Sequence, residues 1–214
     1  MKAITLVLLL CGSSALGQNL MSFEMDAGAA LPMHRNVSEV FNVGLNINLG
    51  FAFNVMQEKL YVKPYGGVNW YFKEIEDVNS VTEHMRTWKA GVETRYYYIK
   101  KEKWKLAPCL NINYNWSTNY YSSSSYNPFS NQTTNSTSDS YLEGTGISIA
   151  LGLRVDIDNV YIKVDYEYFS PDVKVHQAIL DEAASQGITV DPNPSLNLSS
   201  LNLTLGYILP IGKK

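Results

Sequence analysis

Between positions 41 and 55 apolar and polar side chains alternate without interruption. Phe41, Val43, Leu45, Ile47, Leu49, Phe51, Phe53 and Val55 hold the odd positions, and Asn42, Gly44, Asn46, Asn48, Gly50, Ala52 and Asn54 the even ones. A period of two belongs to an extended strand with one apolar and one polar face. Soluble strands usually run about 5–6 residues, whereas a tilted strand needs roughly 9–11 to cross a lipid bilayer. This run is long enough to cross.

The same period predicts eight strands, at 22–31, 41–55, 60–73, 86–99, 103–117, 141–156, 160–169 and 196–210. In the last of these, Ser199-Ser200 shifts the phase of Leu196 and Leu198, which predicts a bulge. The connections alternate in length. Tight turns fall at 56–59, 100–102 and 157–159, and long connections at 32–40, 74–85, 118–140 and 170–195. Eight up-and-down strands with both ends on one side require that pattern, and membrane barrels have short turns on one side and long loops on the other. The predicted fold class is all-β, an eight-stranded up-and-down antiparallel transmembrane barrel with a closed polar lumen.

A soluble lipocalin-like ligand binder also alternates, but with its apolar side chains inside. Three observations turn the barrel the other way. The apolar faces carry charges only near strand ends, Arg86 and Glu143. Twelve charges lie in the opposite phase: Glu24, Asp26, Glu93, Asp156, Asp165 and Glu167 against Lys63, Lys89, Arg95, Lys105, Arg154 and Lys163. The polar faces are otherwise rich in Gly, Ala, Ser and Asn, which suit a crowded interior. Finally, Trp70, Trp88, Trp104 and Trp116, with Tyr207, sit in the apolar phase near strand ends, where aromatic girdles meet lipid headgroups. Eight strands leave room for little besides side chains, and charges so confined must pair. Six acids against six bases therefore predict a plugged lumen rather than an open pore.

Composition refines this picture. The 214 residues fit one domain, and 17% charged residues fall below the roughly 25% of soluble domains. A mean hydropathy of -0.14 does not register alternating strands. A net charge of -3 without a basic cluster argues against a nucleic-acid partner. Residues 1–17 read as a cleaved signal peptide: Lys2, the apolar stretch 3–10, then Ala15-Leu16-Gly17. The remainder, 18–214, is expected to form the single barrel domain. Cys11 is an alternative lipid-anchoring cysteine. Its removal with the signal would leave Cys109 alone and no internal disulfide.

Signal, strand count, loop asymmetry, girdles and polar lumen together resemble the small eight-stranded outer-membrane barrels, of the outer membrane protein A transmembrane-domain and outer membrane protein X type. The resemblance implies outer-membrane lipid around the wall and the barrel-assembly machinery as a partner during insertion. Members of that group often end on an aromatic residue. Here Tyr207 is the last strand aromatic, with seven residues after it. A shared fold leaves the function open.

Candidate chemistry is sparse. His34, His84 and His176 fall in three different long connections without ligand spacing, so no metal or cofactor is implied. His34 with Ser38 and Glu39 can be forced into a catalytic triad, but serine is abundant in these loops, so such a set arises by chance, and nearness in sequence does not make one; the expectation is a non-enzyme. The connection 118–140 is rich in Ser, Thr, Asn and Tyr, and Tyr120, Tyr121, Tyr126 and Phe129 are its candidate surface for binding a ligand or protein. A short helix is predicted at 173–186, with Val175, Ile179 and Ala183 packing on the rim and Gly187 ending it. The expected role is structural or surface-interacting through the long loops. A narrow passive pore and an assembly or secretion accessory are the alternatives.

Overall fold

The computed structural model describes residues 21–39, 41, 43–56, 58–75, 81–127, 132–137 and 140–211. Among them the elements, in chain order, are β1 (Met21–Pro32), α1 (Arg35–Ser38), β2 (Gly44–Met56), β3 (Leu60–Ile75), β4 (Val81–Tyr96), β5 (Ile99–Lys100), β6 (Trp104–Asn127), β7 (Gln132–Thr137), β8 (Leu142–Ile157), β9 (Val160–Tyr168), β10 (Asp172–Val175), α2 (Gln177–Ser185) and β11 (Ser200–Ile211). The expected signal segment and Phe129 lie outside the described residues.

Eight of these strands make the wall. β1, β2, β3, β4, β6, β8, β9 and β11 each pair antiparallel with the next, and β11 pairs back onto β1 from Met21↔Ile211 to Pro32↔Ser200. That last pairing closes the ring, so the wall has no free edge. β5, β7 and β10 are short additions at its rims. One end carries the tight turns, where Glu58 and Asp158 adopt left-handed φ of 61° and 53°; we call it the turn end, and the opposite one the loop end.

Several sequence-derived boundaries move, for a common reason. β3 and β4 stay paired up to Ile75↔Val81, so the expected connection 74–85 is mostly strand. β6 runs to Asn127 and forms a hairpin with β7, so much of the expected loop 118–140 is sheet. Beyond the apolar band both faces are polar, and hydropathy gives no period there even though backbone pairing continues. At the last strand, the sheet begins at Ser200 rather than 196, with no bulge at the serine pair; the register shift occurs at Asn54/Met56 instead. The predicted helix is also shorter. Val173 and Val175 belong to β10, paired with β8, and α2 has no buried residue, so it does not pack its stripe on the rim. His176 caps it by accepting from the Ala178 N–H at 3.4 Å, and Gly187, at φ +75°, follows its end.

Side chains sort by strand phase into an apolar exterior and a polar interior. Ile147, Leu151 and Leu205 are 67%, 65% and 60% exposed on the outside, while Glu24, Arg154 and Ser148 are fully buried inside. Phe41 departs from the expected phase. It turns inward at the loop end and is buried with Ala30, Val37, Tyr71, Met85, Phe169 and Leu198, so the outward run of β2 starts at Val43.

Candidate functional site

The interior is layered. Nearest the turn end lies a continuous ionic cluster. β1, β3, β4, β8 and β9 place these charges on their inward faces, and the narrow ring brings charges distant in sequence within bonding reach. Glu24 is at its centre. Arg95 donates to Glu24 through both Nη atoms, Arg154 Nη1 lies 2.8 Å from Glu24 Oε2, and Lys63 Nζ lies 3.6 Å away. Lys63 also reaches Asp26 at 3.3 Å. Arg95 and Arg154 continue to Glu93, at 3.1 and 3.6 Å, and Arg154 Nε bonds Asp156 at 2.6 Å. Lys163 closes the chain of contacts onto Glu93 at 3.0 Å and Asp165 at 3.4 Å. Lys89 and Glu167 form a separate pair at 3.2 Å.

Eleven of the twelve charges expected in the lumen are thus buried and ion-paired. Lys105 is the exception. It is half-buried at the turn-end mouth, its ammonium 5.9 Å from the Tyr97 ring, and it makes no ion pair among the described residues. The inner balance is therefore six acids against five bases. The mouth itself is a cavity of about 300 Å3 whose inner wall is Glu24, Arg95, Tyr97 and Asp156. Buried ions hold their charge only when such partners replace lost water.

Several tyrosines inside the barrel escape the hydropathy pattern, among them Tyr161, Tyr97, Tyr65 and Tyr71. Tyr161 covers the Arg154 guanidinium at 3.4 Å from its ring centre and donates to Asp26 at 2.6 Å. Its ring also fills the space above Gly206, where a Cβ would stand 2.1 Å from Tyr161 Cζ. Tyr97 donates to Asp156, Tyr65 donates to Asn113 at 2.6 Å, and Tyr71 packs in the apolar group with Phe41. A sequence signal for Tyr161, Tyr65 and Tyr71 does exist: each stands in the polar phase of its strand. A phenol there joins an aromatic wall to a hydrogen-bond donor.

Toward the loop end asparagines interleave with the charges. Asn46, Asn69, Asn48 and Asp26 form a chain of side-chain bonds of 2.5–2.6 Å. Asn113 donates to Ser148 and Glu167, and Asn202 to Asp165. A cavity of about 10 Å3 lies among them, bordered by Asn48, Asn111 and Asn113; that is about the volume of one water. At the loop end the apolar group around Phe41 and Phe169 closes the bore. Ionic plug, asparagines and apolar cap leave no open channel among the described residues.

On the outside, Trp88, Trp104, Trp116 and Tyr207 are exposed and Trp70 is half-buried. They form two bands. Trp104 and Tyr207 pair with Ile157 and Val160 beside the tight turns, whereas Trp88 pairs with Trp116, and Trp70 with Arg86, near the loop end. Of the expected loop surface, Tyr120 lies on β6, half-buried and stacked on His84 at 5.0 Å. Tyr121 and Tyr126 follow it in the same strand.

The histidines do not converge. His34 precedes α1, His176 caps α2 and His84 stands on β4, and the described residues contain no group of three or more His, Cys, Asp or Glu placed to hold a metal. Ser38 Oγ donates to the Arg35 carbonyl and Glu39 accepts from Arg35 Nε, so neither engages His34 as a triad would.

No family profile and no curated protein matches the chain. Among solved structures it is similar to Ail, the attachment invasion locus protein of Yersinia pestis, at 14% identity over 88% of this chain and 97% of that one, with a TM-score of 0.43. Neisserial surface protein A is 13% identical over 91% and 98% (TM-score 0.43). A major outer membrane protein from Thermus thermophilus is 12% identical over 88% and 99% (TM-score 0.44). Its own geometry, a ring of eight antiparallel strands closed by β1 on β11 with apolar side chains outside and ion pairs within, makes the chain a small up-and-down β-barrel, as the sequence resemblance implied.

Proposed function

We propose that the protein is an integral outer-membrane barrel, exported by its N-terminal signal, whose plugged lumen is structural and whose loop end is the working surface. The observation that carries this reading is the inverted sorting of side chains. Soluble proteins rarely expose apolar patches beyond a few hundred Å2, yet here β8 alone turns out Ile147, Ile149, Leu151, Leu153 and Ile157, all at least 48% exposed. Only hydrocarbon covers such a wall, and a closed barrel is the strand architecture that satisfies its backbone there. Outer-membrane lipid is then the permanent partner, and the barrel-assembly machinery a transient one.

The loop end supports a surface-interaction role. β4 and β6 rise past the apolar band as paired strands, and their base is tied by Glu83, which accepts from Asn119 Nδ2 at 3.1 Å and from the Tyr141 hydroxyl. A hairpin on so firm a footing suits a binding surface. Tyr120, Tyr121, Tyr126 and Phe129 are the residues proposed for it.

Two measurements test the reading. The mature protein is expected to fractionate with outer membranes, to require detergent, and to migrate differently on denaturing gels before and after heating. In planar bilayers it is expected to give no steady channels, because the ionic plug spans the bore. A monodisperse protein in plain buffer overturns the membrane assignment. Steady conductance overturns the plugged lumen and favours the narrow-pore alternative.

A further inference from the structure

One outward-facing cation sits among the aromatic side chains of the girdle. Arg86 points outward from β4, in the phase of Trp88 and Val92, one register step above the Trp88–Trp116 pair. It therefore stands where the apolar band ends. Three aromatic side chains hold it. Its guanidinium carbon lies 5.2 Å from the Trp70 ring centre, 5.3 Å from Tyr120 and 5.9 Å from Trp88, and its Nη2 donates to the Tyr120 hydroxyl. The holders are themselves fixed. Trp70 Nε1 donates to His84 Nδ1 at 3.1 Å, and the His84 ring stacks on Tyr120 at an interplanar angle of 14°.

Among the described residues no carboxylate lies within ion-pairing distance of Arg86. The closest acid in the same outward row, Glu143, pairs with Thr118, one strand further round; two strand spacings amount to roughly 10 Å. A guanidinium carries five N–H donors in a planar fork suited to a doubly bonded oxyanion. The Tyr120 hydroxyl uses one, so donors remain for an anion. At the boundary between hydrocarbon and water the abundant oxyanion is the lipid phosphate.

We propose that Arg86, gripped by Trp70, Trp88 and Tyr120, is a site on the outer wall for the phosphate of a membrane-lipid headgroup. This rests on the bilayer reading above. The aromatic grip fixes the side chain in advance, so little rotamer freedom is lost on binding. The apolar wall beneath it, with Trp116, receives the acyl chains of the same lipid.

Native mass spectrometry of the full mature chain in detergent tests the site. Phosphatidic acid and diacylglycerol with the same acyl chains, which differ in the phosphate alone, are offered together. The wild type is expected to retain phosphatidic acid about five-fold or more over diacylglycerol, the ratio corresponding to one basic contact with an anionic lipid. Arg86→Gln is expected to abolish that preference, and Lys103→Gln, at the turn end, to keep it. Equal retention by the wild type overturns the proposal, as does a preference that survives Arg86→Gln. Displacement of phosphatidic acid by equimolar inorganic phosphate also overturns it, assigning the cation to a free anion. Should Arg86→Gln not fold, Tyr120→Phe is read in its place, with at least a halved preference expected and an unchanged one overturning the proposal. A protein that needs no detergent defeats the bilayer reading itself; a detergent-requiring barrel indifferent to Arg86 defeats this site alone.

Discussion

Glu24 has a single carboxylate shared by Arg95, Arg154 and Lys63, with no exposure to solvent. Replacing it by glutamine keeps the volume and removes the charge, leaving three cations with one fewer partner. Breaking a buried pair on one side typically costs about 3–5 kcal/mol. Glu24→Gln is therefore expected to lower the unfolding free energy by that amount, measured by urea titration in detergent micelles. A loss below about 1 kcal/mol, the range of exposed pairs, would show that water already reaches the cluster. At this scale the sequence is informative about phase and silent about partners. Alternation places Glu24 and Arg154 on the same inner face, but which of six acids meets which base depends on register around the ring. Lys105 shows the limit: its phase is inward, yet its position at the mouth leaves it outside the network.

Strands are legible where their outward face is apolar and fade where it is not. β8 and β9 are delimited almost to the residue, because each apolar face ends at a tight turn. The loop-end parts of β4 and β6, 81–85 and 118–127, are hidden, since their sequences carry no hydropathic period although their backbones pair. The hairpin of β6 and β7 makes few demands on the wall below it. Replacing residues 123–136 by a short turn is expected to leave the heat-dependent gel shift intact and the unfolding free energy within about 0.5 kcal/mol, the range of surface changes away from the core. A larger loss would mean that the hairpin helps close the ring.

For the whole molecule, architecture follows from counting: eight alternating runs joined by short and long connections in turn leave few other ways to pair. The sealing of the bore follows only in part. Its ionic plug is foreshadowed by the near balance of inward charges. The apolar cap is not, because Phe41 continues an unbroken outward alternation while the chain before β2 folds over the mouth. Tertiary packing there overrides a local pattern that is consistent with either face.

The ionic layer also holds a thiol. Cys109, level with Arg95 and Gly152 in the wall, is 3% exposed. A water-soluble maleimide is expected to leave the thiol of the folded mature protein untouched for hours and to modify it at once in denaturant, so the labelling rate under native conditions clocks how often the wall breathes. Prompt modification of the folded protein would mean that one of the two stoppers is loose. The sulfhydryl serves as a built-in tamper seal, guarded from oxidants for as long as the staves hold.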